Sequence, residues 1–89
     1  MIQQQITIIN KLGLHARAAS KLVNLAAQFS SSVLLNNQGT QINAKSIMGV
    51  MMLAASKGTE MSIEVDGDDE NDCMQALVNL INNRFDEPE

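Results

Sequence analysis

The chain contains a single histidine, His15, and it stands where an imidazole can do chemistry. It follows the break Asn10-Lys11-Leu12-Gly13 and directly precedes a helical pattern that begins at Ala16. A helix start carries unpaired backbone N–H groups and a partial positive charge, which together suit an anion. Arg17 adds a permanently charged, planar donor fork matched to phosphate, and Lys21 lies a turn further on. A neutral imidazole is a competent nucleophile near neutral pH, its reference pKa being about 6.5. Phosphoryl transfer asks mainly for positioning and for neutralisation of oxygen charge. The phosphate–nitrogen bond it would form is labile, which suits relay rather than storage. A lone histidine at a helix start is also an ordinary surface or capping residue, so the residue pattern alone leaves both readings open.

Other chemistries fit less well. Structural zinc wants four ligands, and one His and one Cys, His15 and Cys73, are far apart in sequence; no metal site is expected. Serines are plentiful, but no acidic residue lies near His15 in sequence to orient it as a hydrolase base, although a fold could bring one close. Neither G-x-x-x-x-G-K-[ST] nor G-x-G-x-x-G occurs, so a phosphoryl donor should be another protein and no cofactor is expected. Cys73 falls on an apolar stripe and reads as an inert core thiol. Ser46 reads first as a helix N-cap and second as a phosphorylation switch, where added charge would alter the surface.

These residues need elements to position them. Ile2, Ile6 and Ile8 alternate with Gln3, Gln5 and Thr7, which predicts a strand with one buried face. A helix is expected over 16–28, with Ala19, Leu22, Leu25, Ala26 and Phe29 on one stripe. Short strands at 32–35 and 40–44 flank the turn signal Asn36-Asn37-Gln38-Gly39. After Ser46 the spacing of Ile47, Val50, Met51 and Ala54 predicts a second helix facing inward along those residues, with Gly58 as its stop and Met48 and Met52 on an exposed flank. Met61, Ile63 and Val65 alternate as a further strand. The acid-rich stretch Asp68, Asp69, Glu70 and Asp72 opens a third helix, where carboxylates oppose the positive end of the dipole. Its apolar stripe is Cys73, Ala76, Leu77, Leu80 and Ile81. The order βαββαβα, with half-polar strands and amphipathic helices, gives an α+β fold: an open-faced two-layer β-sandwich, its four-stranded antiparallel sheet covered on one face by three helices.

At 89 residues, 45% of them hydrophobic, the chain is one domain with an aliphatic, Met-rich core; Phe29 and Phe85 are its only aromatics. No stretch is long and apolar enough to span a membrane. The N-terminal residues lack a secretory pattern, and one cysteine fits a reducing cytoplasm. The net charge of −4 divides unevenly: residues 1–59 contain no Asp or Glu, whereas residues 60–89 hold all ten acids. An acidic whole argues against nonspecific nucleic-acid binding, which needs a broad basic footprint.

The stretches Asn10-Lys-Leu-Gly-Leu-His-Ala-Arg-Ala-Ala19 and Ala44-Lys-Ser-Ile-Met-Gly-Val-Met-Met-Leu-Ala-Ala-Ser-Lys-Gly58 closely resemble the HPr family, the histidine phosphocarriers of the bacterial phosphotransferase system. The resemblance covers essentially the whole chain. It implies that His15 accepts phosphate on Nδ1 from enzyme I and passes it to a IIA-type acceptor. It implies that Arg17 balances the phosphoryl charge beside the backbone of Ala16 and Arg17, and that Ala16, Arg17, Ser20, Ile47, Met48 and Met51 form the docking surface. One departure stands out. Sugar-transport members usually read His-Ala-Arg-Pro-Ala, and here position 18 is Ala, without the φ restraint of proline in a first turn. With Met51-Met-Leu-Ala-Ala-Ser-Lys-Gly58 and Asn82-Asn-Arg-Phe-Asp-Glu87, this looks most like the nitrogen-related branch, NPr. A cytoplasmic monomer is expected, acting with a nitrogen-type enzyme I. A sugar-transport HPr, or a regulatory module switched by a kinase acting on Ser46, are the alternative readings. A free-standing enzyme fits poorly, since so short a chain leaves little room for a substrate cleft.

Overall fold

The computed structural model describes residues 1–53 and 55–89. Its elements are β1 (Ile2–Thr7), α1 (Ala16–Ala26), β2 (Ser32–Asn37), β3 (Thr40–Asn43), α2 (Ile47–Met52), β4 (Glu60–Asp66) and α3 (Glu70–Asn82), followed by a short turn at Arg84–Asp86. The four strands form one antiparallel sheet in the order β1-β4-β2-β3. The register aligns like faces: Ile6 opposes Met61, Val65 lies between Ile2 and Val33, and Ile63 opposes Leu35. Because side chains alternate across a strand, this register turns Ile6, Met61, Ile63, Val65, Val33 and Leu35 to one side, where all are buried. Gln3, Gln5, Ser62, Glu64 and Asn36 take the opposite, water-facing side. Helices cover the first side: Ala18, Ala19, Leu22 and Ala26 of α1, Val50 of α2, and Cys73, Met74, Leu77 and Ile81 of α3.

Several elements differ from the sequence expectation. Helix α1 stops at Ala26, where Gln28 N–H and Phe29 N–H turn to the carbonyls of Leu25 and Ala26 in a tightened last turn. Helix α2 ends at Met52, well short of Gly58. In so short a helix Val50 takes the one fully buried place, and Met51, one residue on, is rotated away and 41% exposed rather than facing inward. Ala54, which the spacing assigns to the same inward face, lies outside the described residues. Ser46 is the N-cap of α2, its Oγ accepting from Gly49 N–H at 3.2 Å. Met48 and Met52 are exposed.

Asp69 precedes α3 but its side chain does not cap it. Its carboxylate instead accepts from Ser30 N–H at 2.9 Å, from Ser31 N–H at 3.0 Å and from the Ser31 hydroxyl, tying the α1–β2 loop to the start of α3. The Ser31 hydroxyl and the two amides hold the carboxyl down to about 2.

Candidate functional site

The site begins where β1 ends. Ile8 is fixed on both sides, its N–H donating to Thr59 O and its carbonyl accepting from Gly58 N–H. The loop then turns at Gly13, which has φ +68° and sits against the backbone of Ala55. An added Cβ there would lie 2.4 Å from Ala55 O, so only glycine fits, both for conformation and for space. Leu14 N–H closes the contact by donating to Ala55 O at 2.8 Å. Asn10 is fully buried under this loop, its amide donating to Gly13 O at 2.8 Å.

His15 follows as the N-cap of α1, with extended backbone (ψ 177°) and its carbonyl accepting the first helical bond from Ala19 N–H. Its ring serves as the cap: Nδ1 accepts from Arg17 N–H at 3.3 Å. The side chain is 28% exposed, so one edge can be reached from solvent. Arg17 is exposed, and its guanidinium makes no hydrogen bond or ion pair among the described residues. Lys21 is turned elsewhere, donating to Phe85 O at 2.9 Å and pairing with Asp86.

The opposite ring nitrogen, Nε2, meets a carboxylate to which the sequence does not point: Glu87, 72 residues away in the chain. Glu87 also accepts from the buried Asn10 amide at 2.9 Å, and its side chain is only 12% exposed. Burial raises the Glu87 carboxyl, but the hydrogen bonds from Asn10 and His15 outweigh it and leave the group below the ordinary glutamate range. An ionised Glu87 is an acceptor only, so Nε2 carries the proton and Nδ1 keeps its lone pair, consistent with Nδ1 accepting from Arg17 N–H. The one available sequence signal is compositional: with no acid before residue 60, a carboxylate facing His15 has to come from the C-terminal third.

Of the other predicted site residues, Ala16 and Ser20 are exposed on α1, and Ile47 is half-buried on α2, which packs against α1. Leu12, 68% exposed in the loop before His15, reads in sequence only as part of a break. Cys73 is buried; desolvation pushes its thiol up, and Asp69 adds to this against a smaller opposing effect of Lys45. No group of three or more His, Cys, Asp or Glu side chains able to hold a metal occurs among the described residues.

An open-faced α+β sandwich presenting a helix-capping histidine at the edge of its helical layer defines a class of small carrier domain. Comparison with known proteins makes the class specific. A family model described as "PTS HPr component phosphorylation site" matches residues 2–83. The "Phosphocarrier protein HPr" of Cupriavidus necator is 57% identical over 89 residues, covering 100% of both chains. That of Xylella fastidiosa is 53% identical over 87 residues, 98% of each chain. A crystal structure of HPr from Thermoanaerobacter tengcongensis superposes with a TM-score of 0.96 at 43% identity, covering 100% of both chains. The chain belongs to the HPr family: it is a phosphocarrier of the phosphotransferase system, a carrier rather than an enzyme.

Proposed function

We propose that His15 takes a phosphoryl group onto Nδ1 from a cytoplasmic enzyme I and passes it to a IIA-type acceptor, serving the nitrogen-related branch as a monomer. The observation that carries this is the orientation of Nδ1. Its lone pair faces the first-turn amide of Arg17, at the positive end of α1. A phosphoryl group bound there would meet that N–H, the Ala16–Arg17 backbone and an Arg17 guanidinium with no competing partner among the described residues. Partner proteins would dock over Ala16, Arg17, Ser20, Ile47, Met48 and Met51, where exposed flexible thioethers suit an adaptable contact.

The branch assignment rests on Ala18 in place of proline and on the runs Met51–Gly58 and Asn82–Glu87. The exposed hydroxyl of Ser46 lies beside Ile47 and Met48, so a phosphate added by a kinase would set negative charge against the docking surface.

The test is reconstitution with radiolabelled phosphoenolpyruvate and either a nitrogen-type or a sugar-type enzyme I. Acid-labile, alkali-stable label should appear, faster with the nitrogen-type enzyme, and His15→Ala should abolish it. Label persisting on His15→Ala would overturn the site, and faster labelling by the sugar-type enzyme would overturn the branch.

A further inference from the structure

We infer that the thioethers of Met48, Met51 and Met52 form a modification site for peroxides, at which conversion to sulfoxides weakens partner docking and leaves the carrier folded. The inference rests on α2 belonging to the docking surface. It is carried by how the chain divides its sulfurs. Of six methionines, three fall within the short helix α2. Met48 and Met52 are 67% and 79% exposed, and Met51 is 41% exposed. Residues three and four apart are neighbours on a helix surface, so Met48 adjoins both of the others and the three side chains share one patch. The core methionines are the opposite case: Met61 of β4 and Met74 of α3 are 2% and 5% exposed. Cys73, whose thiol would compete for an oxidant, is fully buried, and desolvation keeps it protonated and so unreactive. Apart from Met1, the sulfur that solvent reaches is therefore the sulfur of α2.

In the modifying step a sulfur lone pair attacks one oxygen of hydrogen peroxide and the O–O bond breaks. The departing hydroxide takes the proton from the transferred oxygen and leaves as water. Sulfur gives up two electrons, and the peroxide is reduced by the same two. Return takes two electrons and two protons, which thiols supply through methionine sulfoxide reductases, with release of water. The product replaces a flexible apolar side chain by a polar one. A sulfoxide pressed against an apolar partner surface loses its water and leaves an acceptor unpaired, which opposes docking. The fold is spared because its hold on α2 lies elsewhere. Val50 is fully buried, and the Ser46 hydroxyl caps the helix by accepting from Gly49 N–H. Neither anchor involves a methionine sulfur. Oxidation at this patch therefore changes what the carrier can bind before it changes whether the carrier is folded.

The test treats the full chain with graded hydrogen peroxide, which is removed before assay. Peptide mass spectrometry should place added oxygen on Met52, Met48 and Met51, together with Met1, before Met61, Met74 or Cys73. Circular dichroism melts of that material should keep the parental transition. Transfer from enzyme I should show KM raised about tenfold with kcat retained. Methionine sulfoxide reductases with a thiol reductant should restore the parental KM. The triple variant Met48→Leu, Met51→Leu, Met52→Leu keeps apolar bulk without sulfur, so its KM should be the same before and after peroxide. Sulfoxides on α2 with KM unmoved, or an equal rise in the triple variant, would overturn the inference. So would oxidation of Met61 or Met74 in step with α2 and with loss of the fold. Failure of the docking reading would show separately, as a parental KM in untreated Met48→Ala and Met51→Ala.

Discussion

Gly13 offers the most exacting test of how the loop positions His15. In Gly13→Ala the new methyl must adopt φ +68°, which costs about 1–2 kcal/mol for an L-residue. It must also occupy a point 2.4 Å from Ala55 O and 2.9 Å from Ser56 Cα, both backbone atoms that cannot swing aside as a side-chain end would. Overpacking of this kind typically costs about 1–3 kcal/mol. Loss of freedom in the unfolded alanine chain returns about 0.4–1 kcal/mol. The net expectation is about 1–4.5 kcal/mol of destabilisation, a large part of the roughly 5–15 kcal/mol that holds a small domain. Gly39→Ala is the matched control. Its φ is +84°, but no atom lies within 4 Å of the added carbon, so only the conformational cost applies. Urea unfolding followed by circular dichroism should therefore place the midpoint of Gly13→Ala well below that of Gly39→Ala, by about 1 M or more at the urea sensitivity usual for small domains. Equal midpoints would show that the Gly13–Ala55 approach does not constrain the loop. Folded Gly13→Ala protein should also accept phosphate more slowly, since His15 follows two residues later.

Further outcomes follow from other contacts. Asp69 has a lowered folded pKa, so its contribution to stability is full above the unfolded value near 3.8 and fades as pH falls through about 2. Asp69→Ala should accordingly have a lower Tm than the parent at pH 7, and the gap should close in melts taken toward pH 2. Arg17→Glu places an acid in the first turn of α1, where the dipole favours it, so chemical denaturation should match the parent within about 0.5 kcal/mol. If the proposed site is right, its phosphorylation should fall by at least about tenfold, because the charge offered to the phosphoryl oxygens is reversed. Met51→Ala removes a side chain 41% exposed; it should leave Tm nearly unchanged while raising KM for enzyme I in steady-state transfer assays.

The parts of the fold that sequence makes legible are those governed by local periodicity. The alternation in Ile2–Ile8 and Met61–Val65 follows from strands with one wet face, and the stripe through Ala19, Leu22 and Ala26 follows from one buried helix face. His15 stands out because a break and a helix start are both local signals. Glu87 does not, because the contact spans 72 residues and depends on a left-handed turn built without glycine, which leaves no mark in composition. Asn10 likewise reads as part of a break, although its burial and its two donated bonds make it the prop beneath the site. Asp69 shows another limit. An acid before a helix suggests dipole compensation, yet two loop amides and a hydroxyl from Ser30 and Ser31 claim the carboxylate. Met51 escapes the spacing rule because an inward stripe presumes a longer helix than α2, which runs only from Ile47 to Met52.

The strand order has a consequence for how such a protein comes into being on the ribosome. β1 and the His15 loop leave the translation machinery early, but the sheet neighbour of β1 is β4, which begins at Glu60, and the loop leans on Ala55. The nascent chain therefore carries His15 unanchored until more than half of its length has been synthesised. The loop that aims the His15 ring thus settles only with the last third of the chain, and a prematurely released fragment would expose the imidazole without it.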